Sequence, residues 1–174
     1  MHHTAQNDEL LDIVDKNDNV VSRKMRSEIY LEGLRCFRVI NAFVRNSQGQ
    51  LWIPRRSASK DIFPLGLDVS VGGHVGSGET YEQALTRESE EELSLNTDEA
   101  DCRFLGYLSP YEHGVSAFMK VYEIRMDEVP DYNSEDFTEF FWQTPRELLE
   151  WIKKGEPAKD DLPKLVRIFY GDSL

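Results

Sequence analysis

The sequence has few cysteines. Only Cys36 and Cys102 occur in 174 residues, and two thiols in a chain of this length make neither a disulfide framework nor a zinc motif. Both lie among apolar residues, so we interpret them as buried free thiols. Free thiols suit a reducing compartment, and this favours a cytoplasmic location.

Long apolar segments are also missing. No segment approaches the roughly 18 apolar residues that a membrane span requires. Residues 1–9 lack the apolar region of a secretory signal. We therefore expect a cytoplasmic protein with no membrane partner.

Basic residues are in deficit, since 20 Lys and Arg stand against 32 Asp and Glu and give a net charge of −12. An acidic surface repels phosphate backbones at long range, so a nucleic-acid polymer is not an expected partner. Apolar residues nevertheless make up 40% of the chain, which is enough for a packed globule. The sequence leaves open whether that globule is a monomer or a homodimer.

Strands and helices alternate along the chain. The runs Leu10–Val14 and Val20–Val21 flank a turn-rich segment and predict an N-terminal β-hairpin. Further strands are predicted at 36–45, 50–55, 67–71, 103–108, 115–125 and 137–142. Helices are predicted at 26–34, from Thr80 to about Leu93, from Pro145 to about Lys154, and at 161–170. This order predicts an α/β sandwich with a flexible N-terminus over residues 1–9 and a single domain over 10–174.

One predicted helix carries an unusual set of acids. Glu88, Glu91 and Glu92 lie at positions i, i+3 and i+4, which share one face of a helix. Like charges repel there, and the helix dipole disfavours anions near the C-terminal end. A divalent cation would reverse this penalty, because carboxylates are natural ligands of Mg²⁺ and Mn²⁺. The alternative is a solvated acidic face, which the three glutamates alone would favour.

The wider spacing favours the functional interpretation. The segment from Gly73 to Glu92 has a fixed spacing of charged residues. It reads Gly-x5-Glu-x7-Arg-Glu-x2-Glu-Glu, where x is any residue. This pattern resembles the Nudix box, Gly-x5-Glu-x7-Arg-Glu-U-x-Glu-Glu-x-Gly-U, where U is a bulky apolar residue. The matching positions are Gly73, Glu79, Arg87, Glu88, Glu91, Glu92 and Leu95. Ser89 replaces an apolar residue, and Ser94 replaces the final glycine.

The resemblance implies a fold and a chemistry. The fold would be an α/β/α sandwich around a mixed β-sheet. Glu88, Glu91 and Glu92, with the carbonyl of Gly73, would bind Mg²⁺, for which Mn²⁺ could substitute. Arg87 and Glu79 would orient these glutamates by charge-assisted hydrogen bonds. The expected reaction is attack by a metal-activated water on a phosphorus atom of a small diphosphate compound. The favoured substrate is a nucleoside di- or triphosphate.

A second resemblance concerns the subgroup. Residues 51–60, 63–64 and 67–74 are similar to the isopentenyl-diphosphate isomerase branch, where His74 matches a metal-binding histidine. Gly72, however, stands where such isomerases have their catalytic cysteine, and their second acid has no counterpart near residues 115–119. We therefore favour an isomerase-like Nudix hydrolase and interpret His74 as a loop residue hydrogen-bonded to backbone. The alternatives are isopentenyl-diphosphate isomerisation and a non-catalytic nucleotide-binding regulatory module.

Three basic residues are candidates for gripping the diphosphate, namely Arg55, Arg56 and Lys60. Adjacent strand residues point to opposite faces, so we expect only one of the two arginines to face the substrate.

The remaining roles stay open at this level. The general base could be Glu88, Glu92 or a loop acid such as Glu112 or Glu139, and Phe63 or Tyr111 could stack on a nucleobase.

Overall fold

A computed structural model describes residues 8–174. The predicted flexible segment, residues 1–9, lies mostly outside the described residues. Its last two residues are described and held in place. Asp8 accepts hydrogen bonds from the backbone and hydroxyl of Ser27, and the Glu9 carbonyl accepts one from Arg26.

The structure contains eight strands and five α-helices over the described residues. The strands are β1 (Leu10–Val14), β2 (Val20–Met25), β3 (Arg38–Arg45), β4 (Leu51–Arg56), β5 (Val71–His74), β6 (Asp101–Leu108), β7 (Phe118–Arg125) and β8 (Phe137–Gln143). The helices are α1 (Arg26–Glu32), α2 (Tyr81–Leu93), α3 (Pro110–His113), α4 (Pro145–Lys153) and α5 (Asp161–Tyr170). The short helix α3 has no counterpart among the predictions.

The main sheet is mixed. Its order is β6-β7-β3-β4-β8, with β5 pairing on β3, and β3 and β7 run parallel while the other pairs are antiparallel. The predicted mixed sheet, the helices on it and the antiparallel hairpin β1–β2 are confirmed.

Helices cover both faces of this sheet, because residues along its central strands alternate between two cores. On β3, Ile40, Ala42 and Val44 pack with α2, whereas Phe43 packs with α4 and α5. The helix α2 begins at a capping box in which Thr80 and Gln83 bond each other's backbone N–H groups. The fold is therefore the expected α/β/α sandwich.

One predicted strand was misplaced. We expected residues 67–71 to form a strand ending at Gly72, but β5 begins at Val71 and continues through both glycines to His74. Leu67 forms only isolated bridges, to Arg55 and Ala158. The strand continues through both glycines because they pair with Asn41 and Ile40 of β3. Gly73 is required within the strand because the Glu88 side chain of α2 lies directly against it and leaves no room for a Cβ.

The hairpin is fastened to the sandwich by Asp18 at its turn. The Asp18 carboxylate lies 2.6 Å from Arg38 Nε and accepts hydrogen bonds from the Tyr81 hydroxyl at 2.8 Å and the Tyr107 hydroxyl at 3.2 Å. Its φ of 63° is left-handed, a conformation that Asp tolerates better than most residues. A turn residue thus organises three donors from three separate elements.

We predict that Asp18→Asn destabilises the protein by about 2 kcal/mol, because it leaves a largely buried guanidinium without a countercharge while preserving the turn. Thermal denaturation should show a fall of ~4–8 °C in Tm. Asn17→Ala, at an exposed position of the same turn, is the control and should change Tm little. Equal Tm values for both variants would contradict the anchoring role.

Candidate active site

The acidic helix α2 packs against β5, and Gly73 is the point of closest approach. A Cβ built on Gly73 would lie 2.2 Å from Cδ of Glu88 and 2.3 Å from its Oε1. The carboxyl of Glu88 therefore occupies the volume that any side chain at position 73 would fill. This explains the glycine that opens the motif.

Arg87 holds the neighbouring acids in place. It bonds Glu79 through Nε at 2.9 Å and Nη2 at 3.0 Å, and Glu88 through Nη1 at 2.6 Å. Its Nη2 also donates to the His74 carbonyl at 3.0 Å, which links α2 to β5. Burial opposes ionisation of Glu79, but Arg87 and the N–H of Gly76 lower the pKa of that carboxyl. Arg87 and Glu79 thus lie where they can orient Glu88, as the resemblance implied.

The other two glutamates differ in environment. Glu92 is half-buried, and its Oε1 accepts a hydrogen bond from the Gly72 N–H at 3.1 Å. Burial of the carboxyl, reinforced by the negative charges of Glu88 and Asp68, raises the pKa of Glu92 well above its usual value. The Glu91 side chain is 58% exposed and lies 3.6 Å from Arg87 Nη1. The helix face therefore runs from a solvated acid to a half-buried one.

These acids line one large cleft. Its volume is about 920 Å³, and Gly73, Glu88, Glu91 and Glu92 form one wall. Burial raises the pKa of Glu88 to about 7, even though Arg87 favours its charged form. The pKa values of the half-buried Glu88 and Glu92 are raised chiefly by desolvation, and a nearby cation would favour the charged form of both carboxyls. A divalent cation fits that donor set.

The acids are not already gathered as a closed cage. Within residues 8–174, no three His, Cys, Asp or Glu side chains converge closely enough to hold an ion. Arg87 instead occupies one oxygen of Glu88. Gly73, Glu88, Glu91 and Glu92 thus fit a half-open site, in which solvent or a ligand would complete the coordination.

Two of the three predicted basic residues line the cleft. Arg56 lines the cleft and forms an ion pair with Asp68, with 2.7 Å between Nη1 and Oδ2. Lys60 also lines the cleft and forms an ion pair with Asp136, with 2.6 Å between Nζ and Oδ1. Arg55 does not line it. Its guanidinium lies on the other side of β4, where it pairs with Glu139 and Glu156 and stacks over Phe141 and Trp151. Arg55 is therefore removed from the substrate-contacting candidates, and strand alternation is the reason.

The aromatic residues and loop acids considered for base stacking and proton transfer differ in whether they line the cleft. Phe63 lines the cleft and is 38% exposed, whereas Tyr111, Glu112 and Glu139 do not line it. Tyr111 packs edge to face against Phe118, and Glu139 forms an ion pair with Arg55.

His74 lies on β5 and not in a loop, and its side chain bonds a side chain instead of backbone. Its Nε2 lies 2.8 Å from the Tyr30 hydroxyl, and its ring stacks on Phe37. Burial lowers the pKa of His74 to about 3, so the imidazole is neutral and the 3.6 Å approach of Glu9 is not an ion pair.

Both cysteines are free, as expected, but each is only partly buried. No helix among the described residues is long and apolar enough to cross a bilayer.

Residues 37–165 match the NUDIX domain family model, which covers more than half of the chain. The chain belongs to the Nudix family. An uncharacterized Nudix hydrolase of Nostoc sp. is 65% identical over 164 residues, 94% of this chain and 97% of that protein. A Nudix hydrolase of Deinococcus radiodurans is 52% identical over 163 residues, 94% of this chain and 95% of that protein.

Solved structures agree with this assignment. A crystal structure of a Deinococcus radiodurans protein superposes with a TM-score of 0.89 at 51% identity, covering 93% of this chain and 99% of that one. The protein is thus a Nudix pyrophosphohydrolase of a family that acts on small molecules and generally uses divalent metal ions. The relatives are described as hydrolases and give no support to the isomerase-like subgroup.

We predict that Gly73→Ala lowers metal-dependent hydrolysis by about 100-fold, since a displacement of reacting groups by about 1 Å can cost that much. The reason is that the new methyl group evicts the Glu88 carboxyl. Gly76→Ala is the matched control, because its Cβ would meet Glu79 Oε2 at an ordinary 3.5 Å. Turnover and unfolding midpoints of both variants test this, and comparable losses of turnover in both would contradict it.

Proposed function

We propose that this enzyme is a Mg²⁺-dependent pyrophosphohydrolase that cleaves a phosphoanhydride bond in a nucleoside di- or triphosphate. The observation that carries the proposal is that one cleft is lined both by acids and by cations. The lining includes the half-buried carboxyls of Glu88 and Glu92 and the cations Arg56 and Lys60. A polyphosphate with a bound divalent cation is complementary to both sets of side chains at once.

The cation would be held by Glu88, Glu91 and Glu92, with the Gly73 carbonyl beside them, and Mn²⁺ is expected to substitute for Mg²⁺. When bound, it would supply positive charge at the phosphoryl oxygens and acidify water. The chain's own contribution is orientation. Arg87 fixes Glu88, the Gly72 N–H fixes Glu92, and Glu79 fixes Arg87.

The proton acceptor is proposed to be Glu88 or Glu92. Both line the cleft, whereas the loop acids Glu112 and Glu139 do not. A base has to reach the attacking water in a plausible substrate pose, and this geometric requirement favours acids that line the cleft.

The nucleoside part of the substrate is inferred from an aromatic side chain in the cleft lining. Ile62 and Phe63 follow Lys60 closely in the chain and line the same cleft, and Phe63 is partly exposed there. Aromatic rings stack on nucleobases of any sequence. Isomerisation is not proposed, because a Cβ at Gly72 would meet Asn41 Oδ1 and Val69 Cγ2, each at 3.1 Å, so a cysteine there would be crowded.

The two free thiols suit a reducing compartment, and a cytoplasmic location is part of the proposal.

We predict that Glu88→Gln and Glu92→Gln each lower kcat by about 100-fold or more, because each removes a negative charge from the metal site. Glu90→Gln is the matched control, since Glu90 is exposed on the same helix and does not line the cleft. The assay is phosphate or pyrophosphate release from a panel of nucleoside di- and triphosphates. Wild-type turnover in all three variants would refute the assignment, and nucleotide binding without turnover by the wild type would favour a regulatory module.

Metal removal gives an independent prediction. Dialysis against a chelator should abolish turnover, and Mg²⁺ or Mn²⁺ at millimolar concentration should restore it, because the phosphate charge is otherwise unscreened beside the glutamates. Ca²⁺ prefers more ligands and longer bonds, so it should restore turnover less well. Full turnover in the chelated protein would contradict metal dependence.

A further inference from the structure

Three arginines that the Nudix motif does not include line the cleft, namely Arg26, Arg35 and Arg56. Arg26 opens helix α1 and lies outside residues 37–165, the part of the chain that matches the family model. It nevertheless lines the same cleft as Gly73 and Glu88. The side chain therefore comes from an element outside the matched domain and reaches the cleft that holds the motif residues.

Arg26 forms no ion pair among the described residues, whereas Arg56 and Lys60 are each bonded to a carboxylate. The Nε of Arg26 is buried and has no hydrogen-bond partner among those residues. Asp8 is close enough for its charge to be felt by Arg26, but that carboxylate accepts hydrogen bonds from Ser27. A buried N–H without an acceptor is costly, and a ligand in the cleft would remove that cost by supplying an acceptor to Arg26 Nε.

The guanidinium is also held in position. Its Cζ lies 5.4 Å from the centroid of the Tyr30 ring, and the Tyr30 hydroxyl lies 2.8 Å from Nε2 of His74. His74 follows Gly73 on β5, and Gly73 contacts Glu88. A continuous series of contacts thus connects Arg26 to the acidic wall.

We propose that Arg26 binds the second phosphoryl group of the substrate, the one not held at the glutamate-bound cation. This rests on the proposed function and adds a determinant to it, which is selectivity for a diphosphate over a monophosphate. The planar guanidinium matches phosphate oxygens with two parallel N–H donors, so Lys at this position would be a weaker substitute. Helix α1 then contributes to specificity beside the motif helix α2.

The test is calorimetric binding of imidodiphosphate, a non-hydrolysable diphosphate, and of inorganic phosphate, both in the presence of Mg²⁺. We expect Arg26→Met to weaken imidodiphosphate binding roughly 10- to 100-fold and to leave phosphate binding unchanged. Arg26→Lys should recover part of the loss. Arg146→Gln, an exposed arginine on α4 outside the cleft, is the charge-matched control and should bind both anions as the wild type does.

Stability separates a ligand-binding role from a structural one. Met keeps the apolar stem against Tyr30 and removes an unsatisfied buried group, so the Tm of ligand-free Arg26→Met should equal or exceed that of the wild type. A structural arginine would lower it.

Unchanged imidodiphosphate affinity in Arg26→Met, equal weakening of both anions, or a wild type that binds no imidodiphosphate would each overturn the proposal. The proposed function is judged separately by wild-type turnover. If the wild type hydrolyses a nucleotide but Arg26→Met does not change imidodiphosphate binding, only the proposed role of Arg26 is refuted. If binding depends on Arg26 but the wild type hydrolyses no nucleotide, only the proposed hydrolase activity is refuted.

Discussion

The contact between Glu88 and the bare backbone of Gly73 is the constraint on which the site depends. It brings helix α2 onto β5 closely enough for the Gly72 N–H to reach Glu92 and for Arg87 to reach the His74 carbonyl. A methyl group at that point would separate the two elements or expel the carboxyl. The acidic wall of the cleft is thus created by the absence of a side chain.

The sequence predicted the sandwich and the acidic helix well, because both rest on local patterns. The Thr80 capping box and the helical spacing of the glutamates are readable from adjacent residues. The strand at Gly72–Gly73 was misjudged for the opposite reason. Glycines are usually a signal of a strand end, and only the approach of Glu88, fifteen positions away in the sequence, shows why the strand continues through them.

The substrate end of the cleft could be predicted only in part. Alternation correctly implied that Arg55 and Arg56 diverge, but nothing in the local sequence tells which one faces the cleft. That depends on Asp68 on one side and on Glu139 and Glu156 on the other. Arg26 was missed, because its signal is a missing partner, and a missing partner can be recognised only in three dimensions. Ser89 also has a buried polar group whose missing partner only the structure reveals. Its hydroxyl has no hydrogen-bond partner among the described residues, so the serine occupies a buried position at which the motif has an apolar residue.

The anchoring of the hairpin has a practical consequence. Loop tips are normally where tags, insertions and new chain ends are tolerated, because little depends on their conformation. Here the tip carries Asp18, which bonds Arg38 and the tyrosines of α2 and β6, and the adjacent strand carries Asp12, whose carboxylate receives the Gly78 N–H ahead of α2. Lengthening this turn would therefore shift its contacts and disturb the loop that leads into the acidic helix. A fluorescent label or fusion meant to leave the cleft undisturbed belongs elsewhere, for example at the exposed Asn46–Gly49 turn between β3 and β4 at the far end of the sheet.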